Sequence, residues 1–482
     1  MRLNILILLA RQVYVNAFRN KAVLILLAAI VVLLVYAASS GRAIYQEQTE
    51  NRLLYQKQVR ENWEKMPDKH PHRMAHYGYI AFRPKHMLSI FDFGMESYTG
   101  NAVFLEAHRQ NTVNFSQAGF STGMLRFGEI SLAMILQVLV PLVIFFIGFN
   151  AVAADRENGT LKILLSQGTS WQEIITGKTI GLLCIALSSL LLAMIMLLAA
   201  CLSVPGGHLT TGDLLRVGWI ALSYTLYFMI VCTIAIVISS ISKTAKLALV
   251  SLIGIWLLCT VLLPRTTQAL GNFLHPSPSR IEFETAVEKD LIKTGDSHNP
   301  DDPYYKKLKD SVLKAYQVDS VTQLPFNYSG FQMKEGERLS AMIYNRHLFA
   351  LLETYKRQNN LTRFSALINP FAALRNISMA GSGTDFDAYV SFQEQAEGYR
   401  YQLAQHMNEL QIKYISNKKP GDHDKPHSIS AEHWKAFPDF SYAGIGLGRI
   451  IRNELLSMAV LLLWLILTVM VVAVLSKKIK AV

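Results

Sequence analysis

At 482 residues, with 51% hydrophobic and only 17% charged side chains, the chain is long enough for several soluble domains yet too apolar to be only that. Its formal charge of +12 collects in short loops between apolar runs, whereas the two long polar segments are nearly neutral. The basic balance is thus a sign of membrane topology and excludes nucleic acid as the partner it serves.

Residues 1–21, MRLNILILLARQVYVNAFRNK, set Arg2, Arg11, Arg19 and Lys21 among apolar side chains, the pattern of an amphipathic helix lying in a membrane interface. Charge-free runs able to cross a hydrocarbon core of about 30 Å follow at 22–39, 130–150, 179–204, 214–240, 247–264 and 455–475. The first run, with AASSGR after it, also fits a secretory leader. The residues preceding it and the helical pattern continuing beyond it read instead as a retained span.

Between the first two spans, 40–128 begins as a Gln- and Glu-rich helix and turns aromatic and turn-rich from Pro67, which predicts short strands and loops. Segment 265–454 reads as largely helical. Apolar residues recur at steps of three and four in ERLSAMIYNRHLFALLETYKRQ and again from Asp385 to Tyr414, the second helix capped by Thr384 or Asp385. Joined by the loop NPFAALRNISMAGSGTD, they predict a helical hairpin above spans five and six. The fold class expected is an all-α polytopic membrane protein with six transmembrane helices and two extracytoplasmic insertions, the first mixed α/β and the second largely helical.

Lys and Arg occupy 1–21, the 151–178 loop, the 241–246 loop and the tail 476–482, but not the loop 205–213. Retention of basic residues on the cytoplasmic side places both termini inside and both insertions outside. Cys184, Cys201, Cys232 and Cys259 all fall within spans, so the insertions fold without disulfides.

Several motifs carry no chemistry on inspection. Gly177-Lys178-Thr179 ends like a phosphate-binding loop, but the glycine required five residues earlier is Gln172 and no strand precedes it. His70, His72 and His76, and also His423 and His427, have spacings that could hold a transition metal. All thirteen histidines lie in the outer segments, where most polar residues of the chain lie anyway, and no metal site is assigned. No hydrolase motif is present, and the chain is not read as an enzyme. The span interiors contain no Asp, Glu, Lys, Arg or His, with Glu129, Asp213, Arg216 and Arg265 at span ends. That argues against ion-driven transport.

The polar interruption 153–181, AADRENGTLKILLSQGTSWQEIITGKTIG, remains to be explained. Arg156, Glu157, Gly159, Thr160 and Leu161, then Leu164-Leu165-Ser166 and Gly177-Lys178, resemble the first cytoplasmic loop of type-2 ABC transporter permeases, with its "(R/K)-E-x-G-T-L", "LL(A/S)" and "GK" elements. The whole chain is similar to a bacterial subgroup with large insertions after spans one and five. In that subgroup the second insertion holds an "AG(S/T)G…D…F…Q…E.YR" stretch, here Ala380-Gly381-Ser382-Gly383, Asp385, Phe392, Gln393, Glu397, Tyr399 and Arg400. One departure is SQGTSW, where relatives usually carry a proline and a basic residue.

The resemblance implies a coupling helix that docks in a groove of a separate ATPase subunit, present in two copies and holding the ATP and Mg2+. It also implies a second permease, identical or paralogous, and a bacterial inner membrane whose lipids surround both. No cofactor or metal is implied for this chain. In the coupling helix Glu157 is expected to pair with or cap local N–H groups, Gly159 to permit a tight turn, and Leu161, Leu164 and Leu165 to fill the groove. The function implied is export; the alternative is a mechanotransmitter or scaffold acting on an outer partner, with a metal-dependent hydrolase using the outer histidines more distant.

Overall fold

The computed structural model describes residues 1–111, 130–297, 299, 301–418 and 427–478. Glu129 and His423, named above, and residues 479–482 of the tail lie outside the described residues. Among those described, six helices are long and apolar enough to cross a membrane: Lys21–Glu64, Leu132–Glu157, Trp171–Leu202, Thr211–Ile241, Ala245–Leu274 and Leu455–Lys477.

Helix α1 (Leu3–Arg19) packs Leu9, Val13 and Ala17 inward. Asn20 ends it and caps α2 (Lys21–Glu64), accepting from the N–H groups of Ala22 and Val23. The expected extension of the first span is large: α2 is one helix of 44 residues, about 66 Å at 1.5 Å per residue. In the first insertion follow a short helix, α3 (Pro71–Ala75), and an antiparallel pair, β1 (Tyr79–Phe82) with β2 (Ala102–Leu105), with a 3-10 turn at Met87–Ile90 and a helical turn at Glu96–Thr99 between the strands.

The second span begins with a helical turn and a π-helical stretch, Ile135–Leu139, before α4 (Val140–Gly148). Two short helices follow, α5 (Ala153–Glu157) and α6 (Thr160–Ser166), then the spans α7 (Trp171–Leu202) and α8 (Thr211–Ile241). The helix of span three therefore starts at Trp171 rather than near 179, because Ser170 and Glu173 form a reciprocal capping box. Gly177 and Lys178 sit inside it rather than at its head. Span five is α9 (Ala245–Leu257), a second π-helical stretch at Leu258–Leu262, and α10 (Leu263–Leu274).

A π-helical turn frees backbone carbonyls from the regular ladder, and in a membrane each needs another donor. Trp256 Nε1 donates to Val138 O at 2.9 Å, and Asn369 Nδ2 donates to Cys259 O at 2.8 Å. The irregular turns of spans two and five are thus tied to span five and to the second insertion, respectively.

After α11 (Arg280–Thr294) and α12 (Pro303–Tyr316) come α13 (Tyr328–Phe364), α14 (Pro370–Ser382) and α15 (Phe386–Tyr414). The expected hairpin of α13 and α15 is present. Its connection, however, is not a loop. Residues 370–382 form α14, and most of its side chains are buried against α8 and against α17 (Leu455–Lys478), which follows the short α16 (Leu447–Asn453).

Ala372, Ala373 and Ile377 share a cluster with Leu226, Ile230 and Leu461, and Trp464 Nε1 donates to Leu367 O at 3.2 Å. The start of α13 lies beside the end of α15, where Asn327 Nδ2 donates to Ser416 O. The hairpin therefore points its closed end into the helix bundle. Asn-Pro at one end and Ser-Gly at the other look like loop chemistry in the sequence; here they are the N-cap and the left-handed C-cap of a helix, with Gly383 at φ +70°.

This insertion changes the reading of the bundle's polarity. The span interiors lack ionisable groups, yet Asp92 of the first insertion is 7% exposed and accepts from Ser378 of α14. Ser378 meets the Tyr224 hydroxyl at 3.0 Å, and Gln137 Nε2 donates to that hydroxyl at 2.7 Å. A carboxylate therefore reaches the bundle from outside the spans.

The two insertions share one core. Trp63, Met74, Tyr79 and Leu105 of the first pack with Phe392, Met407 and Trp434 of the second, and Trp63 Nε1 donates to Trp434 O at 3.1 Å. Within this unit Arg400 binds Glu337 of α13 at 2.6 Å and Glu397 at 2.7 Å, all three nearly inaccessible. Burial would raise the Glu337 carboxyl, but bonds from His108 and the Arg400 charge outweigh it and hold it at about 2. Glu397, Arg400 and Asp385, singled out in the sequence, thus act as core ion pair and helix cap; Asp385 accepts from the Ala388 N–H at 3.1 Å.

Trp434 is fully buried, so Trp434→Ala should cost the outer unit about 3–5 kcal/mol. Limited proteolysis of the solubilised chain should cut 40–111 and 280–443 together, because the two insertions lose one core. Cleavage confined to the second insertion would contradict a shared core.

Candidate coupling site

The stretch 151–178 is almost wholly ordered into helix ends. Ser239 near the end of α8 accepts from the N–H groups of Val152 and Ala153, both at 3.0 Å, and donates to Phe149 O at 2.8 Å. One hydroxyl thereby satisfies the backbone where span two turns into α5. Gly159, at φ +77°, turns the chain from α5 into α6, a left-handed conformation that residues with a Cβ adopt at a cost. The Thr160 hydroxyl ties the turn down by donating to Asp155 O and Oδ1 at 3.1 and 3.2 Å.

Apart from the exposed Lys162, the charged residues reach the ends of other helices. Arg156 donates to Ser240 O at 2.7 Å and Ser242 O at 2.5 Å, satisfying terminal carbonyls of α8, and lies over the Trp171 ring at 5.9 Å. Glu157 Oε1 accepts from the Ala245 N–H at 3.0 Å, at the start of α9, so it caps a distant helix start rather than the local N–H groups expected. Lys178 is 2% exposed and donates to Asp155 and to Ala151 O. Glu173 takes Arg2 at 2.8 Å. These contacts fasten α5 to the ends of α7, α8 and α9, and α1 to the start of α7.

Gly177 and Gly181 have a role that the Gly-Lys-Thr spacing hides. They form a small-xxx-small pair on α7, and α1 lies in the groove. A Cβ on Gly177 would stand 2.8 Å from Leu9 Cβ, and one on Gly181 2.4 Å from Ala10 O.

The apolar residues divide differently from expectation. Leu161 is 0% exposed and belongs to the main bundle core, with Leu164 and Leu165 half-buried against it. Leu161 is therefore not available to fill an outside groove. Ile163 is 56% exposed, and Lys162, Ser166 and Gln167 beside it are exposed as well. A seven-residue helix is too short for apolar periodicity to fix which face points outward, which is why the sequence did not single out Ile163.

These placements separate structural residues from surface ones. Arg156→Ala should lower the stability of the isolated chain by about 1.5–3 kcal/mol, the range for charge-assisted hydrogen bonds. Ile163→Ala should stay within about 0.5 kcal/mol. Thermal unfolding in detergent, with no partner present, reads both; equal melting of Arg156→Ala and wild type would contradict the contacts described.

Residues 105–274 match the profile described as ABC-2 family transporter protein, and residues 280–443 match a domain of unknown function, DUF3526. The first match takes in spans two to five and the whole of 151–178; the second takes in α11 to α15 and the chain after them as far as residue 443. No curated protein matches the chain. With six candidate spans and these two matches, the chain is a multi-pass ABC transporter permease of the ABC-2 family, carrying a DUF3526 domain in its second insertion.

Proposed function

We propose that this permease is the transmembrane subunit of an ATP-driven exporter, with α6 as the element that docks on a separate ATPase subunit. The observation that carries the reading is the division of 151–178 into an inward set of polar residues bound to helix ends and an outward face with Ile163 at its centre. A push on α6 acts through Arg156, Glu157 and Asp155 on spans three, four and five together. ABC-2 permeases generally pair with ABC ATPase subunits; here two such subunits would hold the ATP and Mg2+ and serve a pair of permeases, identical or paralogous, in a bacterial inner membrane. Lys178 supports the division of labour, because its ammonium is engaged by Asp155 and sits inside a helix, away from any phosphate-binding loop.

Export is favoured by a cavity of about 750 Å3 between α10, α13 and α14, with Gln268, Asn359, Thr362, Arg375 and Asn376 among its lining. Its mixed polar and apolar walls, beside the inserted hairpin, suit an amphiphilic substrate leaving the bundle. A second reading, mechanotransmission, is favoured by α2, which runs unbroken from Asn20 beside α1 to Trp63 in the outer core. Substrate movement by the reconstituted complex in vesicles decides between them: ATP-dependent accumulation supports export, and its absence with intact coupled hydrolysis supports transmission.

Two measurements test the shared premise. Ile163→Asp should leave insertion and melting unchanged while stripping the ATPase subunit from the purified complex, since losing an anchor at the centre of an interface typically costs about 2 kcal/mol or more. Co-purification and coupled turnover equal to wild type would remove α6 from the interface. In a chain without its four native cysteines, Cys at Ser166 and Lys243 should resist an impermeant thiol reagent in intact cells, and Cys at Lys57 and Lys307 should react, all four positions being exposed. The reverse pattern would invert the orientation.

A further inference from the structure

The histidines of the first insertion are brought together differently from their order in the sequence. His70 does not join its neighbours; its Nδ1 accepts from the His72 N–H at 3.2 Å and caps α3. His72 and His76, one turn apart on and just after α3, face His108 from the turn that follows β2. The ligand nitrogens of these three residues lie within 4.8 Å of one another. Their ring centroids are 4.7, 5.5 and 5.3 Å apart.

His108 is held in place by strong constraints. It is one of two non-glycine residues with positive φ among those described, at 62°, a conformation that side-chain-bearing residues adopt only when their surroundings enforce it. Glu337 of α13 supplies the enforcement: its Oε2 accepts from the His108 backbone N–H at 2.9 Å and lies 3.2 Å from Nδ1. Arg400 fixes Glu337 from the other side. A carboxylate on Nδ1 selects the tautomer that leaves Nε2 as the lone-pair donor, the usual support for a metal-binding imidazole.

We propose that His72, His76 and His108 bind one divalent transition-metal ion, with Glu337 orienting His108. Three neutral imidazoles suit Zn2+, Cu2+ or Ni2+, whereas Mg2+ and Ca2+ require oxygen ligands. Metal–nitrogen bonds of about 2.0–2.1 Å place tetrahedral ligand atoms about 3.3 Å apart, a closure that rotation of the rings supplies. His76 is exposed and the other two are half-buried, so an ion can enter from solvent and a fourth position stays open to water or to a ligand carried by the transported molecule. The ion joins α3 to the β2 turn and, through Glu337, to α13 of the second insertion. Its binding does not depend on the direction of transport.

The test uses the full chain, tag-free, purified in detergent and stripped of metal. Zn2+ is titrated against a chromophoric chelator, and Co2+ serves as the spectroscopic probe. The expected result is one Zn2+ per chain, with the intense visible bands of four-coordinate Co2+. His76→Ala and His108→Ala should each weaken Zn2+ binding at least tenfold, and Glu337→Gln by about 10–100-fold. His275→Ala, a histidine outside the cluster, should bind as wild type does. Because His76 is exposed, His76→Ala should melt like wild type without metal, and Zn2+ should raise the melting temperature of wild type only. Zn2+ binding by wild type no greater than that of a triple His72/His76/His108→Ala variant, or unchanged binding in a normally melting His76→Ala, would overturn the proposal.

Discussion

A lysine ammonium shut away from water must find an anion and an acceptor, or it cannot stay charged where it is. Lys178 finds both in Asp155 and the Ala151 carbonyl, and much of the architecture at that end of the bundle depends on that contact. It locks α5 against α7, and so aims the next two residues, Arg156 at the end of α8 and Glu157 at the start of α9. The same helix carries Glu173 to Arg2 and the two glycines that seat α1. A stretch that looks in the sequence like a polar connector is therefore a joint in which several helix ends satisfy one another's backbone groups. On α6 itself, Lys162, Ile163 and Ser166 stay exposed.

The outer half obeys the same rule of satisfied polarity by a different route. Neither insertion has a disulfide, and the free cysteines all lie in spans. Trp63, Trp434 and Phe392 supply apolar burial common to both, and the Glu337–Arg400–Glu397 group is tolerated at near-zero exposure because every charge has a partner. Removing Arg400 alone would strand two carboxylates, the situation that makes broken buried pairs so costly.

How much of this the sequence displayed follows from the range of each interaction. Six apolar runs, the N-cap at Asp385 and the turn at Gly159 were legible because each is decided by a few neighbouring residues, whereas Glu157 caps a helix 88 residues away. Helix α14 was not: Asn369-Pro370 and Ser382-Gly383 punctuate it like a loop, and its small, mostly apolar residues reveal their purpose only against Ile230 and Leu461. The helix of span three begins at Trp171, ahead of the apolar run at 179, because hydropathy ignores a capping box. Leu161 turns inward and Ile163 outward, a phase that two turns of helix carry too little periodicity to set. His108 could not have been grouped with His72 and His76 at all; a β-hairpin and a carboxylate from the other insertion bring it there.

The π-helical turns of spans two and five each contain one residue more than the surrounding α-helix needs. Such a surplus is a stored register step. When it migrates along a helix, the segment it passes turns by about 100°, one residue's share of a 3.6-residue turn, while the backbone exchanges one hydrogen-bond partner for the next. Trp256 on Val138 O and Asn369 on Cys259 O then behave as detents: each marks where the surplus rests, and each is a single side-chain bond. The outer half of span five is also held by α13, where Gln358 Nε2 donates to His275 O at 2.6 Å, so turning it past the inserted hairpin would exchange both side-chain bonds without unwinding a helix in lipid.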